Sequence, residues 1–378
     1  MIDTPSQERS PRFLTDSDLF RDVSRGDPKP FTLKGDDLVK ARLTPETWRL
    51  EIVGDGGAEL QKPRKIEDGT AIDLPALEAL GRSHGVKFLK AMQCLNISQP
   101  LGQGLWEGVP LREVIRLVGR IKNCRRIHYH GFHNENPKQL FQSSLSYTQA
   151  LDTSPWDLGP FLAYRLNGEP LSLLRGGPVR MVVPWGYGFK SIKWLQRVTL
   201  TNEFKANDTY ADGNNDPDSY LKTAAYLDDG QQAFEAGNEI RMHGTAMVGL
   251  PGLKRIEYWL RPDTGTHGEL ADDAPAWKEA HWQPCVIDPA PADWGVSLPK
   301  EVKPGEIWGF EPASGKPKEW PMRFSIATWH VILKDLAAGA YEFRVRTIDR
   351  NGFAQPEPRP YLKSGRNEMP SRVILVKG

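Results

Sequence analysis

Cysteine is scarce in this chain of 378 residues, which carries only Cys94, Cys124 and Cys285. An odd, widely spaced set excludes a disulfide framework, and no C-x-x-C pair or C-x-x-C-H haem-attachment site is present. Net charge is equally scant. Lys+Arg 49 against Asp+Glu 48 leaves +1, so no global field draws nucleic acid or an anionic membrane, and any charge used in binding is local. No apolar run approaches the length of a membrane span, and no internal repeat recurs. The first residues, from Met1 to Arg9, have neither the basic n-region nor the apolar h-region of a secretory signal. Either the protein stays inside the cell or a signal has been removed.

What is abundant is glycine (35) and proline (31), with 26% charged and 39% hydrophobic residues. That composition favours short strands, turns and irregular connections over helical bundles, and the length suits two or three domains. Residues 1–30 read as an extended, weakly structured lead-in. Thr47 to Val53 alternates as a half-buried strand. Asp73 caps a helix with Pro75 in its first turn, and Val86 to Gln93 returns to strand character. A helix runs from Pro110 to Val118, a strand from Arg126 to Phe132, and a short helix from Tyr147 to Leu151. Asn167-Gly168 is a hairpin-type turn, followed by an apolar strand over Pro178 to Pro184. Helices and strands mix without regular alternation, which predicts an α+β domain over 31–205. Residues 206–237, rich in Asp, Asn and Gly, read as a long interdomain loop that contributes to the active site. From Asn238 to the end the pattern is strand after strand, an all-β sandwich of immunoglobulin type over 238–378, without that fold's paired cysteines and their tryptophan.

Three features carry possible chemistry. Cys94 emerges from a strand end into a polar loop, where a thiolate acts as nucleophile or soft metal ligand; as a lone cysteine it also reads as a buried small hydrophobe. Arg175-Gly-Gly-Pro-Val-Arg180, followed by the stretch Gly186 to Lys193, sets glycines among Arg175, Arg180, Lys190 and Lys193. Glycines admit backbone N–H groups close to an anion while the side chains supply charge. His128, His130 and His133 invite a zinc reading, but no Cys/His partner stands at zinc spacing, and the default is ordinary strand or loop histidines. Asp208, Asp212, Asp216 and Asp218 do not follow EF-hand spacing and read as a solvated loop.

Taken together, the pieces resemble the sulfite oxidase family of molybdenum enzymes. The resemblance rests on Gln93-Cys94-Leu95-Asn96, Trp106-Glu-Gly-Val-Pro-Leu111, Ala163-Tyr-Arg-Leu-Asn-Gly-Glu-Pro170, Gly176-Gly-Pro-Val-Arg180 and Lys190-Ser-Ile-Lys-Trp-Leu195. In the C-terminal half, Arg346 to Pro356 and Asn367 look like the family's dimerisation domain. The resemblance implies a molybdopterin domain followed by a β-sandwich, with Cys94 ligating molybdenum. It implies that Arg180, Lys193 and the backbone from Gly188 to Ser191 hold the cofactor phosphate, with Arg175 and Lys190 beside it. It further implies a homodimer, and a periplasmic location if a signal has been removed; a cytoplasmic one follows if Met1 is the true start.

Departures from the family bear on substrate. No Arg follows Cys94 before Arg112, and the family's upstream active-site Arg is missing, with Lys34 the nearest cation. Tyr220, in Asp218-Ser-Tyr-Leu-Lys222, is the counterpart of the active-site tyrosine, and Tyr210 is a second candidate. Asn96, Gln99, Gln103 and Trp106 line a more neutral pocket on this reading. The expectation is therefore an oxidoreductase moving an oxygen atom to or from a small oxo-anion or sulfoxide-type substrate, with Lys34, Asn96, Trp106 and Tyr220 around the reacting centre. Its electrons pass to a separate carrier such as a cytochrome. The alternatives are a cofactor-free relative serving as a binding module through the sandwich, and a thiol or zinc hydrolase built on Cys94 and the histidines.

Overall fold

A computed structural model describes residues 13–97, 99–154, 156–209, 216–263, 265, 270, 274–356, 365 and 367–378. Tyr210, Asp212 and the first twelve residues of the lead-in lie outside these.

The N-terminal domain holds two five-stranded sheets and a two-stranded pair, Glu59–Leu60 with Ile121–Lys122. One runs in the order Ile72–Asp73, Arg49–Asp55, Leu195–Thr201, Arg126–Gly131, Gln142–Ser146, with Arg49–Asp55 and Leu195–Thr201 parallel and the other pairs antiparallel. The second runs Glu169–Pro170, Phe161–Leu166, Gly102–Pro110, Val86–Met92, and Arg180–Val182 joins it on Phe161–Leu166. Helix Leu74–His84 starts as its sequence dictates: the Asp73 carboxylate accepts from Ala76 N, and Pro75 fills the first turn, where no N–H is needed. A fully buried cluster including Trp48, Leu50, Ile52, Leu111, Val114, Ile127, Leu162 and Val198 joins sheet and helices.

The C-terminal domain is a two-sheet sandwich. Ala224–Leu227, Ile240–Met247, Ile326–Leu333 and Val286–Ile287 form one sheet. Ala233–Glu235, Ser371–Lys377, Gly339–Asp349, Leu253–Pro262 and Gln283–Pro284 form the other. Alternation along the strands turns Ile240, Met242, Val331 and Leu333 inward against Ile256, Phe343, Val345 and Ile374. A tryptophan does occupy this core. Trp329 is fully buried, and its Nε1 donates to Tyr226 O (3.2 Å) and Thr245 O (3.1 Å).

Three stretches differ from the sequence expectation. Ala224–Leu227 and Ala233–Glu235, expected inside an interdomain loop, are sandwich strands. The chain between Val286–Ile287 and Ile326–Leu333 leaves the sandwich and covers the N-terminal domain, where Trp294, Leu298 and Phe310 cluster with Leu89 and Leu105. The lead-in from Phe13 is a strap. Phe13 meets the Trp294 ring edge-on at 4.9 Å, Thr15 N donates to Gln103 O and Arg21 N to Leu101 O, and Phe20 is buried. Apolar anchors at Phe13 and Phe20 and these scattered bonds replace the periodicity that a helix or strand would have shown.

Candidate active site

Strand Val86–Met92 ends two residues before Cys94, leaving the half-buried thiol at the start of a turn over Leu95 and Asn96. Gln93 staples this turn: its Nε2 donates to Cys94 O (3.2 Å) and to Ile97 O. The Gln93 backbone carbonyl accepts from Gly188 N at 2.7 Å, tying the cysteine loop to the Gly-rich stretch. A Cβ on Gly188 would stand 3.3 Å from that carbonyl, so glycine permits the close approach. Gly176, at φ +99°, ends the turn Leu173–Arg175, and a Cβ there would strike Lys193 Cγ at 2.6 Å.

These elements enclose a cavity of about 380 Å³. Cys94, Asn96, Trp106, Arg175, Arg180, Gly188, Ser191 and Lys193 all line it, so residues from four separate stretches of sequence converge. Trp106 presents its ring rather than its N–H, because Nε1 is turned to Lys90 O (3.3 Å). The Arg180 guanidinium lies 5.0 Å over that ring, and Phe20 packs edge-on against it at 6.0 Å.

The electrostatics are one-sided. Arg21, Arg25, Arg175, Arg180 and Lys193 line the cavity, and no Asp or Glu does so among the described residues. Arg180 is buried, donating to Arg175 O (2.8 Å) and Ser191 O (2.6 Å), while its Nε has no hydrogen-bond partner; Arg175 Nε is likewise unpartnered. Burial and the neighbouring Arg175 push Arg180 down to about 9. Burial, reinforced by Arg180, pushes Lys193 down to about 7 even though its Nζ touches Asp22 Oδ1 (3.2 Å), Ser24 Oγ (2.6 Å) and Leu174 O (2.7 Å). Burial raises the Asp22 carboxyl, but the Ser24 hydrogen bond and the Lys193 charge outweigh it and hold the group well below the usual carboxylate range. Lys90, fully buried behind Trp106, has only the carbonyls of Pro184 (2.7 Å) and Gly186 (3.2 Å) as partners, and burial pushes it down to about 7. Buried positive charge in excess of its carboxylate partners is the signature of a site completed by an anion.

Five residues singled out in the sequence stand elsewhere. Lys190 turns away from the cavity into a buried pair with Asp208 (2.8 Å), also donating to Ser144 O (2.6 Å). Asp208 is no solvated loop residue: it accepts from Ser143 Oγ and from Ser144 Oγ (2.7 Å) and is fully enclosed. Lys34 is exposed beyond the turn Pro30–Thr32, outside the lining. Tyr220 is 40% exposed, with its hydroxyl accepting from Gln149 Nε2 (3.2 Å), and does not line the cavity. Gln103 is consumed by Phe13 O (2.8 Å) and Ile326 N (2.6 Å). The strap residues Arg21, Asp22, Ser24 and Arg25 were missed, since nothing in a polar, aperiodic segment marks them.

The three histidines do not form one cluster, although His130 and His133 lie with ring centroids 5.8 Å apart and both line a second cavity. His128 Nε2 lies 3.3 Å from Lys205 O, and His130 turns to that second cavity, of about 200 Å³, shared with Arg42 and Arg197. Only His133 of the three reaches the main cavity. Burial lowers the pKa of His128 and His130. Among the described residues no group of three or more His, Cys, Asp or Glu is placed to hold a metal. A metal at Cys94 therefore draws its other ligands from a cofactor, and the one-sided cationic lining fits a cofactor that is itself anionic.

Comparison with known proteins points the same way. Residues 37–209 match the family described as "oxidoreductase molybdopterin binding domain". Mitochondrial sulfite oxidase of Rattus norvegicus is 27% identical over 206 residues, 52% of this chain and 35% of that protein. Nitrate reductase [NADH] 2 of Phaseolus vulgaris is 36% identical over 104 residues, 26% of this chain and 11% of that one. The match thus spans about a third of the sulfite oxidase and about a tenth of the nitrate reductase. The crystal structure of the sulfane dehydrogenase SoxCD from Paracoccus pantotrophus shares the fold. It aligns with a TM-score of 0.59 at 14% identity, covering 99% of this chain and 90% of that one.

Proposed function

We propose that this chain, whose residues 37–209 match the oxidoreductase molybdopterin binding domain, is a sulfite-oxidase-like molybdopterin oxidoreductase that moves an oxygen atom to or from a small substrate at a molybdenum centre ligated by Cys94. The observation that carries this reading is the cavity that brings Cys94 together with five cationic side chains and, among the described residues, no Asp or Glu in its lining. Bound there, molybdopterin supplies the two-electron redox chemistry, while the protein binds, orients and tunes. Cys94 supplies the thiolate. Arg180 and Lys193 hold the phosphate, with Arg175 beside them and the Gly188–Ser191 turn backing them. Trp106 and Phe20 wall off water on the Arg180 side.

The cationic lining supports an oxo-anion as substrate. Arg21 and Arg25 supply the forked donors that Lys34, outside the cavity, does not. A sulfoxide-type substrate remains the neutral alternative, and ionic strength separates the two: an oxo-anion site loses substrate affinity as salt rises, and a neutral site does not. Electrons leave to a separate carrier, and the sandwich domain serves as the dimer contact. The experiment is metal analysis of protein made in a molybdopterin-producing host, beside Cys94→Ser. Near one molybdenum per chain in the parent and near none in the variant is the expected result. Equal metal content, or none in either, overturns the proposal.

A further inference from the structure

Far from the cavity, two histidines stand side by side on the outer face of the sandwich. His243 and His330 are directly opposed across Ile240–Met247 and Ile326–Leu333. Their neighbours Met242 and Val331, also opposed, point into the core, so the pleat sends both imidazoles to the other face. Opposed side chains of an antiparallel pair leave the sheet with Cβ atoms about 4.5–5.5 Å apart.

Each ring is held from its outer side by a carboxylate. His243 Nδ1 lies 3.1 Å from Oδ2 of Asp228, which directly follows the bordering strand Ala224–Leu227. His330 Nδ1 lies 2.6 Å from Oδ1 of Asp288, which directly follows the strand Val286–Ile287 on the opposite border. Asp288 is itself fixed by Thr328 Oγ1, which donates to its Oδ2 at 2.5 Å. In an imidazole the Nδ1 edge and the Cδ2–Nε2 edge lie on opposite flanks of the Cβ–Cγ axis. With both Nδ1 edges held on the border-strand side, His243 level with Asp228 and His330 diagonal to Asp288, which lies level with Thr328, both Nε2 edges lie on the flanks away from those carboxylates. Neither Nε2 has a hydrogen-bond partner among the described residues.

We propose that His243 and His330 form a two-histidine site for a borderline divalent transition-metal ion of the Zn²⁺ or Cu²⁺ type, with water completing the coordination. Imidazole suits these ions. A carboxylate on the far nitrogen is the arrangement that fixes the metal-binding tautomer and raises the basicity of the ligand. None of the four residues lines either cavity, so the site stands independently of the molybdenum reading.

The test is titration of the full-length chain with CuCl₂ and ZnCl₂, followed by calorimetry and, for copper, electron paramagnetic resonance. One Cu²⁺ per chain is expected, with hyperfine splitting from two nitrogens. His243→Gln and His330→Gln should each weaken binding at least about tenfold, about 1.4 kcal/mol. The double variant should abolish it, and His130→Gln/His133→Gln should leave it unchanged. Asp288→Asn should weaken it less than loss of either histidine. A parent protein that takes up no copper, a one-nitrogen signal, or a double variant that titrates like the parent overturns the proposal; the first two need no variant to fold.

Discussion

Lys190 and Lys193 are three residues apart on one Gly-rich stretch, and their surroundings are opposite. Lys190 lies behind the turn, where Asp208 and the Ser144 carbonyl satisfy it; burial lowers its pKa against the pull of Asp208. Tyr129 OH donates to the Lys190 carbonyl (2.8 Å), and Arg126 NH1 to Ser144 Oγ (3.2 Å), closing a network with few loose ends. Lys193 lies in front, beside Arg175 and Arg180, with the partly exposed Asp22 as its carboxylate partner. A buried charge whose partners are all internal serves the fold; a cluster of like charges with too few partners awaits a ligand.

That contrast can be broken experimentally. The largest effect is expected for Asp208→Ala, which strands the Lys190 ammonium in the interior and should cost about 3–5 kcal/mol in urea unfolding. Next comes pH. Lys90 and Lys193 lie near 7 in the folded chain, whereas unfolded lysine titrates near about 10.4. Between those values the unfolded chain holds protons that the folded one lacks, so the cofactor-free protein should gain stability as pH rises. The gain is at most about 1.4 kcal/mol per pH unit for each lysine. A bound polyanion keeps Lys193 protonated, and urea midpoints of the loaded protein should rise less over the same range. Lys193→Met should change stability by no more than about 1 kcal/mol while weakening cofactor retention about tenfold, measured as molybdenum left after dialysis. The smallest effect is expected for Asp22→Asn. Removing the competing carboxylate should strengthen retention a few-fold, within about 1 kcal/mol.

The same contrast explains what could be read from the chain alone. Cys94 was legible because a strand delivers it, and the Gly-rich stretch because glycine and arginine spacing is local information. Trp106, Arg180 and Lys193 came with the family motifs. Lys190 was assigned to the cofactor because its partner lies 18 residues away, in a segment whose Asp and Asn content suggested solvent. The strap was missed for a related reason. Its bonds to Gln103, Leu101, Gln139 and Lys193 are irregularly spaced long-range contacts that impose no repeat. The cover formed by residues 288–324 was counted with the sandwich, since nothing local separates tryptophans that pack on Leu89 from tryptophans of a sandwich core.

The strap also sets where the molecule can open. Phe20, Arg21, Val23, Ser24, Arg25, Gly26 and Pro30 form one wall of the main cavity, and no ladder of sheet hydrogen bonds holds that wall. Lifting it breaks the bonds of Arg21 N to Leu101 O, Arg175 to Phe20 O, Asp27 with Gln139, Asn134 to Pro28 O, and Lys193 to Asp22 and Ser24, none of them part of a sheet, while every strand behind Cys94 keeps its neighbours. Access to the Cys94 thiol is thus a local opening, with a free energy below that of unfolding the domain. A guest can come and go while the rest of the architecture stays shut.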